Sequence, residues 1–88
     1  MGNSRRQQPN FQLGANADHP QFVTALARGL SILRCFQRGE HYLGNQEIAR
    51  RTGLPKATVS RLTFTLASLG YLSYAEDREK YALGVAVL

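Results

Sequence analysis

The stretch EIARRTGLPKATVSRLTFTL carries a small residue, Ala49, then Gly53 four positions on, then Val59. That spacing narrows the fold more than any other feature of the chain. Two helices that cross closely need a small residue where they meet, and the turn between them needs a left-handed residue, which glycine supplies at least cost. Leu54 is placed to plug the gap between the helices, and Val59 and Leu62 to anchor the second on the first. Pro55 suits the opening of a helix, where a missing N–H costs nothing. The pattern predicts a short helix from Gly44 or Asn45, with Glu47 favouring its positive end, Ile48 and Ala49 inward, and Arg50 and Arg51 outward. A longer helix follows from Pro55, with Val59, Leu62, Leu66 and Leu69 as its buried stripe and Gly70 as its stop. Thr52 departs from the pattern, since a larger apolar residue is common just before the glycine.

The flanks complete the architecture. Phe22, Leu26, Leu30, Leu33 and Phe36 recur at helical steps and predict a helix from Phe22 to about Gln37, ended by Gly39. Arg28, Arg34 and Arg38 point away from that stripe, and Cys35 lies roughly opposite it. Ala25 and Ile32 widen the apolar surface beyond one core face, a hint of a dimer or interdomain contact. His41 to Leu43 reads as a short strand. After Gly70, Leu72 and Tyr74 alternate with polar or small residues, Glu76 to Glu79 make a turn, and Tyr81 and Leu83 alternate again, which is a hairpin. The fold class expected is mainly α with a small β-hairpin, a winged helix-turn-helix over residues 21–84. Residues 1–20, rich in Asn, Gln and Gly, read as a disordered arm whose Arg5 and Arg6 either touch nucleic acid or are simply solvated. Residues 85–88 read as the start of a linker to a further domain.

With 88 residues there is room for one domain, and with 11 Lys and Arg against 6 Asp and Glu it carries a formal charge of +5. That balance favours a polyanion: nucleic acid first, an anionic membrane surface second, and solubility alone as the plain alternative. The face of the second turn-motif helix that points away from its stripe holds Lys56, Ala57, Ser60, Arg61, Phe64 and Ser68. Its first turns carry the mix that reads duplex DNA. Arg61 suits a guanine edge, Thr58 or Ser60 a phosphate or base, and Ala57 a thymine methyl. Arg50 and Arg51 are candidates for backbone phosphates, as are Arg78 and Lys80 in the hairpin, where Glu76, Asp77 and Glu79 argue for a glancing contact. A solvated polar face is the competing reading. Other chemistry lacks its residues. One cysteine and two separated histidines make no zinc pattern, and the Gly-Lys-Ser/Thr of a phosphate loop is missing. No Ser/His/Asp set has local context. No catalytic role, metal or cofactor is expected. The single cysteine fits a reducing cytoplasm. No apolar run is long enough to span a bilayer, and no signal peptide is evident.

The segments RGLSILRCF, EIARRTGLPKATVSRLTFTLASLGYL and YALG resemble the N-terminal domain of the IclR (isocitrate lyase regulator) family of bacterial transcription factors. The resemblance covers about three quarters of the chain. It implies a winged helix-turn-helix on a double-stranded, pseudo-palindromic DNA operator, a linker helix beginning near Val85, and an effector-binding domain outside this chain. It further implies a homodimer or tetramer and a small-molecule effector, often an aromatic or organic acid, controlling catabolic genes. Phe64 departs from the family, which often has a small residue there. It is expected to pack against Tyr or Arg side chains of the same domain, or else to make apolar contact with DNA. The reading from another class is a winged-helix protein-interaction module whose basic face docks an acidic partner.

Overall fold

A computed structural model describes residues 16–36 and 41–87. Three helices are followed by a hairpin: α1 (Thr24–Arg34), α2 (Asn45–Thr52), α3 (Lys56–Ser68), β1 (Leu72–Ala75) and β2 (Lys80–Leu83), with a 3-10 turn at Val85–Val87. The strands pair antiparallel, with Leu72 opposite Leu83 and Tyr74 opposite Tyr81. Leu43 adds a single antiparallel bridge to Tyr81, each N–H donating to the other's carbonyl at 2.8 Å. That bridge ties the entrance of α2 to the wing. Gly39 and Arg38, with Arg5, Arg6 and the arm to residue 15, lie outside the described residues.

The core consists of Ile32 and Phe36 from the first helix and its exit, Leu43, Ile48 and Ala49, Leu54 in the turn, Val59 from α3, and Leu72 from the wing. Two apolar stripes differ from expectation. Leu26 and Leu30 are 61% and 50% exposed, whereas Ile32 is fully buried. At about 100° per residue, Ile32 stands about 120° from Leu26 and about 160° from Leu30, so the three cannot share one face. The helix is seated on Ile32, Gly29 and Phe36, and the leucines with Val23 form a second, outward apolar face. Cys35 sits on the core side, half-buried, its thiol against the Ser31 carbonyl at 3.5 Å.

In α3 the corresponding exchange is between Leu69 and Thr63. Leu69 is 63% exposed and Thr63 fully buried. Thr63 lies about 40° from the direction of Val59, and Leu69 about 80°. A buried hydroxyl must be hydrogen-bonded, and this one is 2.9 Å from the Val59 carbonyl and 3.0 Å from Asn45 Oδ1, linking α3 to the first residue of α2. The helix ends in a Schellman arrangement, with Gly70 N–H donating to the Ala67 carbonyl and Tyr71 N–H to the Leu66 carbonyl. Gly84 lets the chain after the hairpin return against this exit, because a β-carbon there would collide with the Gly70 carbonyl.

Candidate nucleic-acid interface

The interface begins with the turn. Gly53 adopts φ 77°, the left-handed conformation expected of it, and its N–H donates to the Ala49 carbonyl at 2.8 Å. Thr52, the residue that departs from the usual pattern, is 1% exposed. Its hydroxyl donates to the Ile48 carbonyl at 2.9 Å and accepts the Leu54 N–H at 3.2 Å. A threonine therefore substitutes a pair of hydrogen bonds for the apolar contact of a larger side chain. Pro55 is the cap of α3, one residue before its first helical residue, Lys56. No acid lies in the first turn of α3, so the partial positive charge of its N-terminus is reinforced by Lys56.

Along α3, Lys56, Ala57, Ser60 and Arg61 are exposed and Thr58 is half-buried. Two hydroxyls further along are held by the helix itself. Thr65 donates to the Arg61 carbonyl and Ser68 to the Phe64 carbonyl, both at 2.9 Å. Phe64 is 71% exposed, so the expected packing within the domain is absent from the described residues. The tyrosines and the arginine of the wing have other partners. Tyr74 stacks at a tilt on Tyr81 with centroids 4.9 Å apart, and the Arg78 guanidinium lies 4.4 Å over the ring of Tyr42.

An open groove separates α2 and its turn from the wing. Arg50, Arg51, Lys56 and Lys80 line it, together with Gln46 and Glu47. The two arginines are not equivalent. Both bond Glu47, but the Arg50 side chain is 72% exposed and that of Arg51 only 29%. Arg51 also donates to the Cys35 carbonyl at 3.3 Å, a positive group at the exit of α1 that holds α2 against it. The hydrogen bonds from Arg50 and then Arg51 hold the Glu47 carboxyl below its usual range. Arg78 stands at the wing on its tyrosine, and Lys80 at the base of β2. Tyr42 and Gln46 escaped the reading of the sequence. The signal for Gln46 was available, since a helix capped at Gly44 puts residue 46 in its first turn. Tyr42 depends on a contact 36 positions away, which no local pattern reveals.

Among the described residues no group of three or more His, Cys, Asp or Glu could hold a metal ion, and no helix is long and apolar enough to cross a membrane. The three helices, left-handed turn and paired strands define a winged helix-turn-helix. The family model described as the IclR helix-turn-helix domain matches residues 25–76, and the chain belongs to the IclR family, whose DNA-binding domain of transcriptional regulators it carries. It is 58% identical over 66 residues to the HTH-type transcriptional regulator TsaQ1/TsaQ2 of Comamonas testosteroni, covering 75% of this chain and 23% of that protein. An IclR family transcriptional regulator from Brucella abortus superposes with a TM-score of 0.79 at 53% identity, over 92% of this chain and 30% of the other. An IclR homologue from Microbacterium hydrocarbonoxydans, complexed with 4-hydroxybenzoate, superposes with a TM-score of 0.67 at 28% identity, over 72% of this chain and 26% of the other. The chain thus spans about a quarter of the length of these relatives.

Proposed function

We propose that α3 enters the major groove of an operator with its N-terminal half leading. Arg61 donates to a guanine edge, Ala57 approaches a thymine methyl, and Ser60 and Thr58 contact base or phosphate. Lys56, Arg50 and Lys80 neutralise phosphates from the groove between α2 and the wing, and Arg78 meets a phosphate from its perch on Tyr42. Arg51 contributes charge from a more fixed position, since it also holds α2 on α1. The observation that carries this reading is the exposed Lys56–Arg61 arc beside a groove lined by four cations, on a helix whose start is set by the buried Thr52–Gly53 turn.

The full-length protein binds as a homodimer or tetramer in the cytoplasm, has no enzymatic role, and controls catabolic genes in response to a small organic or aromatic acid held outside this chain. The 4-hydroxybenzoate on a structural relative supports the effector class. The outward Val23, Leu26 and Leu30 face supports self-association.

Selection of operators from a random duplex pool by the full-length protein gives half-site and symmetry together. Affinity for that operator should fall with salt at about −0.9 in log–log slope for each phosphate neutralised. Arg61→Ala should cost roughly 1–3 kcal/mol at one base pair of each half-site. Equal weakening on every sequence would make Arg61 a phosphate contact instead.

A further inference from the structure

We propose that Phe64 is a specificity-determining residue that packs its ring against the C5-methyl of a thymine in the operator, beyond the base pair met by Arg61. The proposal rests on α3 being the helix in the groove. At about 100° per residue, Phe64 points within about 20° of Ala57, between Ser60 and Arg61. It stands about 4.5 Å further along the helix than Arg61. Phe64 is therefore on the same outward arc as the proposed reading residues and one turn later.

The ring is 71% exposed, and among the described residues no aromatic ring or cation lies against it. The tyrosine and arginine contacts of the wing lie among themselves: Tyr74 with Tyr81, and Arg78 with Tyr42. Its surroundings decide what kind of molecule covers it. Ser60, Arg61, Thr65 and Ser68 are all exposed and polar or cationic, so Phe64 is the one large apolar group, beside the small Ala57, on a face that complements a polyanion. An apolar protein surface would have to desolvate those neighbours to reach it. A duplex suits them, and the apolar feature on the base edges of its major groove is the thymine methyl. Ala57, small and on the same line, lets the helix come close enough for a phenyl side chain one turn after Arg61 to reach the base edges.

The test uses the full-length protein and its selected operator, with each thymine replaced singly by uracil, which removes the methyl and leaves the pairing intact. At one thymine of each half-site, uracil should weaken the native protein about 4-fold, the effect of burying one methyl-sized group. Phe64→Ala should lose a similar factor on the thymine operator and become indifferent to uracil there, with an unchanged salt slope and melting temperature. Phe64→Leu should retain part of the discrimination. If Phe64→Ala keeps the native thymine preference at every position, the assignment fails. If Phe64→Ala instead weakens self-association without DNA, the ring belongs to a protein interface and the assignment also fails. Arg61→Ala and Lys56→Ala separate the two levels. Should neither alter DNA binding, the groove reading itself falls; should both weaken it while Phe64→Ala keeps the uracil response, only the role of Phe64 falls.

Discussion

Helices α1 and α3 are both amphipathic, both lie against the same core, and both carry an exposed face with apolar residues on it. The two faces differ in chemistry. On α1 and its cap the large outward apolar residues are Val23, Leu26 and Leu30, three aliphatic side chains at helical spacing, with Arg28 and Arg34 also exposed. On α3 the outward face holds Lys56, Ala57, Ser60 and Arg61, with one phenyl ring among polar neighbours. One domain therefore presents an outward face with three large aliphatic side chains and another that is mostly polar and cationic, on helices joined through α2. The difference teaches that surplus hydrophobicity on a short domain has to be assigned residue by residue. On α1 it is three aliphatic side chains; on α3 it is one large side chain among polar and cationic neighbours.

The largest effect expected concerns which residues of α1 belong to the core. Ile32→Ala should destabilise the domain by about 2–5 kcal/mol in denaturant unfolding, because Ile32 is fully buried. Leu30→Ala, at a half-exposed position, should cost under about 1 kcal/mol in the isolated domain. Similar losses at both sites would return Leu30 to the core and erase the distinction between the two helices.

That pair also marks how far the sequence was legible. The Ala49–Gly53–Val59 spacing announced the turn, and the alternation of Leu72, Tyr74, Tyr81 and Leu83 the hairpin, because each rests on local stereochemistry: a left-handed glycine, a proline at a helix start, side chains alternating along a strand. The seating of each helix was not legible to the same depth. Hydrophobicity nominated Leu26, Leu30 and Leu69 for burial, and geometry put Ile32 and Thr63 there instead. A helix in a small domain touches its neighbours along a narrow strip, and a threonine can occupy that strip once its hydroxyl has the Val59 carbonyl and Asn45 within reach. Such partners are 4 and 18 residues away, so a stripe drawn by polarity alone passes over them. The charge of Arg50 and Arg51 was legible in the sequence. Their division into an open Arg50 and a braced Arg51 required the Cys35 carbonyl, which only the fold brings near.

A second contrast, smaller in energy, separates the turn that aims α3 from the helix face that it aims. Thr52→Val keeps the shape and removes the acceptor of the Leu54 N–H. A buried donor left without a partner costs about 1–3 kcal/mol, so the unfolding free energy should drop by that much. Ser60→Ala, on the exposed face, should leave stability within about 0.5 kcal/mol and change only DNA affinity. If Thr52→Val is neutral for folding, water or a shift of the turn replaces the hydroxyl, and the departure at position 52 carries no structural weight.

Arg50 and Arg51 sharpen the comparison once more, now within α2. Arg50→Ala should remove one phosphate contact and make the salt slope shallower by about 0.9, with little change in unfolding. Arg51→Ala should lower the melting temperature as well, since it frees the exit of α1 from α2. A stability loss confined to Arg50→Ala would reverse the assignment of the two arginines.

The smallest effect belongs to Glu47, whose carboxyl is held below its usual range chiefly by the hydrogen bond from Arg50 and then by that from Arg51. A carboxylate that is more acidic in the folded state stabilises that state above its unfolded pKa. The contribution is lost as pH falls through the folded value. The loss should therefore fall in the acid range, below the ordinary carboxylate value, and leave neutral pH untouched. Glu47→Gln should flatten this acid limb of the stability profile. High salt should shrink the difference from the native protein, because the Arg50 side chain of the pair is 72% exposed and its charge is screened. DNA affinity supplies the discriminating readout at neutral pH. With Glu47 neutral, Arg50 no longer leaves a carboxylate to reach a phosphate, so Glu47→Gln should bind non-specific duplex more tightly than the native protein. Binding that is unchanged on every duplex would mean that Arg50 stays on residue 47 in the complex and that the cations of this groove act through Lys56 and Lys80.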